Sequence, residues 1–310
     1  MELIRGLHNL RNEHRGSAVT IGTYDGVHLG HQAMLARLRE LARELNVATT
    51  VLTFEPTPRE YLDPARTPAR LTRLREKLPL LERAGMDRCI VMRFDEHLRA
   101  VRGADFVSRL LRARLAASLL VVGHDFRFGF KGEASVELLR AAAPANGFRL
   151  EVLPPVLVDG ERVSSSAVRE ALARNDLPRA AQLLGRRYSM QGRVVAGERL
   201  GRKLGFPTAN MRVQRRVTPL AGIFAVRVHG IGAAPLHGVA SLGTRPTVDG
   251  RELLLEAHVF DFAGDLYRRC LEVEFVEYLR EERRFPSLEA MVVQMHEDAR
   301  RARAALASVH

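Results

Sequence analysis

Apolar residues recur along the first half of the chain in two alternating rhythms. Short runs of aliphatic and β-branched residues occur at Ala18–Ile21, Val47–Phe54, Arg88–Met92, Leu119–Val122 and Leu150–Leu153. Between them apolar positions are spaced by three and four: Met34, Leu38, Leu41 and Leu45 mark one face, and Leu74, Leu78 and Leu81 another. Strand-length runs alternating with helical spacing predict an α/β fold, a doubly wound parallel sheet with helices on both faces. After about Gly185 the rhythm changes. Six runs rich in Val, Ile, Leu, Phe and Thr follow, at Met190–Val195, Thr208–Val213, Ile223–Val228, His237–Leu242, Leu253–Phe260 and Leu271–Tyr278. Helical spacing returns only from Ser287 to about Leu306, with Ser287 placed to cap the helix start. Six antiparallel strands and one C-terminal helix predict a small six-stranded β-barrel.

The expected organisation is therefore two domains, 1–185 and 186–310, with the boundary near Leu184 to Arg187. A length of 310 residues agrees, being long for a single core. No run approaches the ~20 apolar residues of a membrane-spanning helix. The N-terminal MELIRGLHNLRNEHRGS is charged throughout and lacks the apolar core of a signal peptide. Cys89 and Cys270 are too few for a disulfide framework. Together these predict a cytoplasmic protein without a membrane partner. The formal charge of +12 fits either a nucleic-acid binder or an enzyme that gathers anionic phosphates. Aromatic residues make up only 6%, tryptophan is absent, and the arginines are spread along the chain rather than packed into one arm. A stacking surface for single strands is thus poorly supplied, and no nucleic-acid partner is expected.

The richest stretch is GTYDGVHLGH, Gly22 to His31, between an apolar run and a helical one. Glycines bring the backbone near phosphate oxygens, and a helix N-terminus adds unpaired N–H groups and partial positive charge. His28 and His31 lie three apart, so both rings can face one anion. A histidine pair at this spacing is also met as a core or surface feature, or as half of a metal site. No HExxH or CxxC cluster accompanies it. Asp125, in VGHDFRFG, follows the Leu119–Val122 strand and is either a turn carboxylate or a polar contact for a triphosphate. In RVSSSAVREAL, Arg162 to Leu172, Ser164 or Ser165 is a candidate helix cap. The same segment, with Arg162, Ser165, Ser166 and Arg169, also has the makings of a phosphate clamp.

These elements occur in a known order. GTYDGVHLGH resembles the GxFDGxHxGH motif of the HxGH nucleotidyltransferases, with Tyr24 in place of phenylalanine. With VGHDFRFG and RVSSSAVR it resembles the N-terminal module of the prokaryotic bifunctional riboflavin kinase/FAD synthetase family. The resemblance implies ATP contacts at Gly22, Tyr24, His28, His31, Asp125, Arg162, Ser165, Ser166 and Arg169, with His28 and His31 catalytic. It also implies an apolar flavin wall from Phe54, Pro56, Pro58 and Phe128, the first three within TFEPTPREYL.

In the second half, GERLGRKLGFPTANM (Gly197 to Met211) is either a flexible hairpin turn or a nucleotide site. Thr208 and Asn210 alternate by two, so both leave one strand face, and their neutral oxygens suit Mg²⁺ that keeps waters and nucleotide oxygens. The segment resembles the GxxxGFPTAN motif of riboflavin kinases. That resemblance implies kinase ATP contacts at Gly197, Gly201, Arg202, Thr208 and Asn210, and Mg²⁺ on Thr208 and Asn210. Glu256, by default a strand-surface carboxylate, matches the family's base toward the ribityl hydroxyl. Arg280, Arg283 and Phe285 match its flavin-covering loop, while Ser241 stands where asparagine is common. The implied activity is phosphorylation of riboflavin to FMN and adenylylation of FMN to FAD with release of pyrophosphate. ATP is a co-substrate, and FMN and FAD are substrate or product rather than redox cofactors.

Overall fold

The computed structural model describes every residue except 197–200, 202, 203, 216, 248, 249, 309 and 310, and leaves aside the side chains of 245–247 and 250–252. The alternating first half builds strands β1 (Glu2–Arg5), β2 (Ala18–Ile21), β3 (Thr49–Phe54), β4 (Arg88–Met92), β5 (Leu119–Gly123) and β6 (Arg149–Leu153). They form one parallel sheet in the order β1-β4-β3-β2-β5-β6. The order reverses direction between β2 and β5, the place where open α/β sheets leave a crevice for ligands.

Strands covered on both faces read as near-continuous apolar runs rather than alternating ones. In β2, Ala18 and Val19 point to opposite faces and join separate cores. One core sets Val19, Ile21, Leu52, Ile90 and Leu120 against Phe106, Leu111 and Leu139. The other sets Ala18, Val51, Cys89 and Val121 against helix α1 (Leu29–Glu44) and Leu81 of helix α2 (Leu74–Arg83). The expected stripe on α1 needs one correction: Leu35, Leu38, Leu41 and Ala42 are its buried residues. Leu45 is 40% exposed at the C-cap, where the chain is already leaving the helix. Strand β1 has no counterpart in the apolar pattern, because a charged edge strand buries only Ile4. Helix α3 (Val136–Asn146) precedes β6, and a short hairpin, β7 (Leu157–Val158) with β8 (Glu161–Arg162), follows it.

After helices α4 (Ser165–Ala173) and α5 (Leu177–Leu184), the second half closes a six-stranded barrel. Its strands are β9 (Ser189–Val195), β10 (Thr208–Arg212), β11 (Gly222–His229), β12 (Leu236–Thr247), β13 (Gly250–Val259) and β14 (Cys270–Arg280). They run antiparallel in the closed order β10-β13-β12-β11-β14-β9. Helix α6 (Leu288–Ala307) packs Ala302, Ala305 and Leu306 on Ile223, Ala225 and Leu279. As expected, the Ser287 side chain caps it, accepting from the Ala290 amide at 3.2 Å.

By compactness the chain divides into Met1–Pro68 with Thr72–Ser164, and Ala69–Leu71 with Ser165–His310. Helices α4 and α5, which precede the expected boundary at 185/186, thus group with the barrel. So does the strap Ala69–Leu71. Arg169 Nε donates to the Ala69 carbonyl at 2.6 Å, Arg215 to those of Arg70 and Leu71 at 3.2 Å, and the Tyr188 hydroxyl to that of Leu71 at 3.2 Å.

Helix α1 carries the histidine turn, so its seating on the sheet determines where that turn lies. Leu38 is fully buried in this contact. Leu38→Ala should cost about 2–5 kcal/mol by removing apolar contact and leaving a cavity. Urea denaturation followed by circular dichroism checks this; an unchanged midpoint would contradict the packing described.

Candidate functional site

The turn after β2 is held in a costly conformation. Tyr24 and Val27 have φ of 49° and 41°, and a β-branched residue in that region is a true outlier. Three anchors hold it. The Asp25 carboxylate accepts from the Thr72 amide at 2.9 Å, and the Gly26 amide donates to the Thr72 hydroxyl at 2.9 Å. Lys77, only 2% exposed, reaches from α2 to donate to the Thr23 carbonyl at 2.5 Å and toward the Thr53 hydroxyl at 3.4 Å.

His28 is the N-cap of α1, and its Nδ1 accepts from the His31 amide at 3.4 Å. That bond assigns the His28 proton to Nε2. The two rings stack with centroids 3.7 Å apart at 19°. Gly30 packs closely against them, since a Cβ there would lie 3.2 Å from the His28 ring and press it aside by a few tenths of an ångström. His31 also lies 4.9 Å from the Tyr24 ring, and its Nδ1 is buried without a hydrogen-bond partner among the described residues. Burial holds the His31 ring well below the usual imidazole range, reinforced by His28 and Lys77. The His31 imidazole is therefore available as a neutral hydrogen-bond donor.

Tyr24 is 1% exposed, with its hydroxyl 2.6 Å from Thr20 Oγ1 and its ring packed against Gly22. Its side chain faces the core and props the His31 ring. Asp125 leaves the end of β5, next to β2, so its turn shares the sheet edge with the histidines. Burial opposes ionisation of Asp125, but the hydrogen bond and charge of Arg162 outweigh it and hold the carboxyl below its usual range. Helix α4 begins at Ser165, which leaves Ser164 in the capping position; Ser165, Ser166 and Arg169 all fall in the second compact unit.

The expected flavin wall of this half is divided. Phe54 packs on the sheet core and edge-on to Phe94, with centroids 6.0 Å apart. Pro58 opens a short helix, Pro58–Leu62, capped reciprocally by Thr57 and Glu60. Pro56 lines a cavity of about 470 Å³ with Tyr61, Arg93 and Phe94. Phe128 is a core ring, 7% exposed between Phe106 and Phe126, and does not line that cavity.

In the barrel, strand register does the assembling. Asn210 on β10 is directly opposite Glu256 on β13, which is opposite Ser241 on β12. This row opens into a cavity of about 540 Å³ whose lining also includes Gly201, Thr208, Arg280, Arg283 and Phe285. Thr208 and Asn210 additionally line a second cavity of about 570 Å³, walled by Val259 and residues 262–267. Gly201 is required where the loop closes: a Cβ would lie 2.3 Å from the Phe206 carbonyl. Gly197 and Arg202 lie outside the described residues.

The Asn210 amide nitrogen lies 3.5 Å from Thr208 Oγ1. Rotating the amide exchanges its oxygen into that place, a spacing that two oxygen ligands of one Mg²⁺ at ~2.1 Å can bridge. Among the described residues no group of three or more His, Cys, Asp or Glu is placed to hold a metal. The two neutral donors therefore fit Mg²⁺ only together with nucleotide oxygens.

Three polar residues of these sites carry no sequence signal. Lys77 reads as the solvent side of a leucine-spaced helix. Glu282 accepts from the Ser241 hydroxyl at 3.0 Å, and Asp298 pairs with Arg280; both line the 540 Å³ cavity but lie in charged stretches.

Family models for FAD synthetase and for riboflavin kinase match residues 10–167 and 184–306. A bifunctional riboflavin kinase/FMN adenylyltransferase of Pseudomonas fluorescens is 48% identical, over 98% of this chain and 97% of its own. One from Haemophilus influenzae is 45% identical, over 98% and 99%. A crystal structure described as a macrolide-efflux protein from Streptococcus pneumoniae superposes with a TM-score of 0.84 at 26% identity, covering 98% of this chain and 99% of that one. Among the described residues no helix is long and apolar enough to cross a membrane. Two consecutive family models and near-full-length relatives agree: the chain belongs to the family of bifunctional riboflavin kinases/FMN adenylyltransferases.

Proposed function

We propose that residues 186–310 phosphorylate riboflavin to FMN with MgATP, and that residues 1–185 join FMN to the adenylyl group of a second ATP, releasing pyrophosphate. The observation that carries the kinase assignment is the row Asn210–Glu256–Ser241 opening into one cavity with Arg280, Arg283 and Phe285. The flavin occupies this 540 Å³ space, its ring beside Phe285 and its ribityl chain toward Glu256. The nucleotide occupies the 570 Å³ cavity that Thr208 and Asn210 also line, and the phosphate-binding roles of Gly197, Gly201 and Arg202 rest on the sequence resemblance alone. Glu256 accepts the proton of the ribityl hydroxyl as that oxygen attacks the γ-phosphorus and ADP leaves. Thr208 and Asn210 would hold Mg²⁺, which when bound offsets negative charge on the phosphates.

In the other half, a phosphate oxygen of FMN attacks the α-phosphorus of ATP in line with departing pyrophosphate. No covalent histidine intermediate is needed; positioning and charge stabilisation supply the rate. His28 Nε2–H and the neutral His31 donate hydrogen bonds where charge develops, beside the N-terminus of α1. Gly22 admits the nucleotide to the strand end, and Tyr24 acts from behind, through its contact with His31. Arg162, oriented by Asp125, meets the phosphates. The phosphate-binding roles of Ser165, Ser166 and Arg169 rest on the sequence resemblance alone. Phe54, Pro56 and Pro58 form the flavin side, with Phe128 backing it from the core. Both reactions use cytosolic metabolites, and the protein is assigned to the cytoplasm, with no nucleic-acid or membrane partner.

Glu256→Gln should lower the rate of FMN formation by about 10²–10⁴-fold, the usual worth of a general base, while FAD formation from supplied FMN persists. His28→Ala with His31→Ala should show the reverse. Chromatographic assay of each half-reaction decides; loss of both activities in either variant, with the fold intact, would refute the division of labour.

His31 should remain neutral as pH falls through the range where a free imidazole protonates. Its folded-state pKa lies below the unfolded value, so its contribution to stability is present above about pH 6.5 and is lost as pH falls toward the folded pKa. NMR titration of the ring in the ligand-free protein should show no midpoint between pH 8 and 6; one near 6.5 would contradict the burial described.

A further inference from the structure

One wall of the 540 Å³ cavity has no part in the chemistry above: the edge of helix α6 that supplies Met291, Met295 and Asp298, with Gln294 hydrogen-bonded to Asp298 beside it. Arg280, the last residue of β14, is gripped there by a carboxylate in two-pronged geometry. Its Nε donates to Asp298 Oδ1 at 2.9 Å and Oδ2 at 3.1 Å, and its Nη2 to Oδ2 at 2.6 Å. The Asp298 side chain is 5% exposed and that of Arg280 is 17% exposed. The third guanidinium nitrogen donates to the Glu281 carbonyl at 2.8 Å. Gln294, one turn before Asp298, ties in the second arginine. Its amide nitrogen donates to Asp298 Oδ1 at 2.9 Å, and its oxygen accepts from Arg283. The two guanidinium carbons so held lie 5.6 Å and 5.1 Å from the centroid of the Phe285 ring.

The arrangement is a stack of dependencies. A buried carboxylate is tolerated only when it is paired and hydrogen-bonded, and here the pairing fixes the angle of one arginine. Gln294 couples that pair to the other arginine. Both cations are drawn to the face of a single aromatic ring. Phe285 lies on the segment that follows β14, and Arg280 and Arg283 both reach its ring. An apolar, planar ligand ring gains most from an aromatic wall already set in place, because no side chain then has to be ordered on binding.

We infer that Asp298 and Gln294 are positioning residues for riboflavin: through Arg280 and Arg283 they set Phe285 as a pre-formed wall for the flavin ring. The inference rests on the kinase assignment of this cavity and adds the helix residues that shape it. Arg280 and Arg283 then act on the flavin chiefly by holding Phe285 rather than as charges aimed at a phosphate.

The test uses the full-length chain with Gln294→Met and Asp298→Asn. The first keeps bulk while removing both hydrogen bonds, on a residue exposed enough that folding should survive; the second weakens the buried pair. Steady-state kinetics should show the riboflavin KM raised about three- to ten-fold by Gln294→Met and more by Asp298→Asn. The kinase kcat and the ATP KM should stay within about two-fold of wild type, and FMN adenylylation should be unchanged. A riboflavin KM unmoved by Gln294→Met in a folded protein would overturn the inference, as would a fall in kcat with KM unchanged. Wild-type riboflavin phosphorylation, measured alongside, reports separately on the kinase assignment.

Discussion

The register between β10, β13 and β12 is the constraint on which the kinase half depends. Side chains of a strand alternate between its two faces, so a slip of one residue between β10 and β13 would turn Glu256 away from Asn210 and out of the cavity. The closed barrel guards against such a slip. It has no free edge, and Ala209, Met211, Leu255 and Ala257, which alternate with the functional positions, are all buried. The same physical requirement appears in the first half in another form. There the functional turn is fixed where β2 ends, by Thr72 and Lys77 on one side and the seating of α1 on the other. In each case the groups sit on regular backbone or directly at its end: Asn210 and Glu256 on strands, His28 and His31 at the start of α1.

A chain with 48 lysines and arginines does not deliver its cations loose to its sites. Arg162 is paired with Asp125, Arg280 with Asp298, and the Nε of Arg169 with a backbone carbonyl. His31 is held neutral by burial and stacks on His28 at the start of α1. Groups held this way by their partners cost little to reorganise, the condition under which donors stabilise developing charge most.

Most of the architecture was legible because burial on both faces leaves a plain trace. The central strands β2, β3 and β5 are almost wholly buried and carry threonine as their one polar residue type, and the barrel strands are bounded by turn residues. Strand β1 left no such trace, since Glu2, Leu3 and Arg5 stay at the surface and only Ile4 is buried. Leu45 misled for the opposite reason, an apolar residue in phase with a stripe that ends one residue earlier. The site was legible where chemistry and backbone coincide: glycines beside His28 and His31, or Thr208 and Asn210 on one strand face. It was not legible where a side chain acts on another across the fold. Lys77 holds a carbonyl in a turn 54 residues away, and Asp298 grips an arginine from a different element. Tyr24 and Phe128 show the converse. Their positions in the motifs are as expected, but their rings face the core and support the site from behind.

On the proposed division, one chain brings two different phosphorus atoms of ATP to a flavin, the γ-phosphorus in the barrel and the α-phosphorus at the end of the parallel sheet. Parallel reactions of the purified chain with riboflavin and ATP labelled at either the γ- or the α-phosphorus measure this directly. The γ label should appear first in FMN and then in FAD, and the α label in FAD alone. Appearance of the α label in FMN, or of neither label in any flavin, would contradict the account.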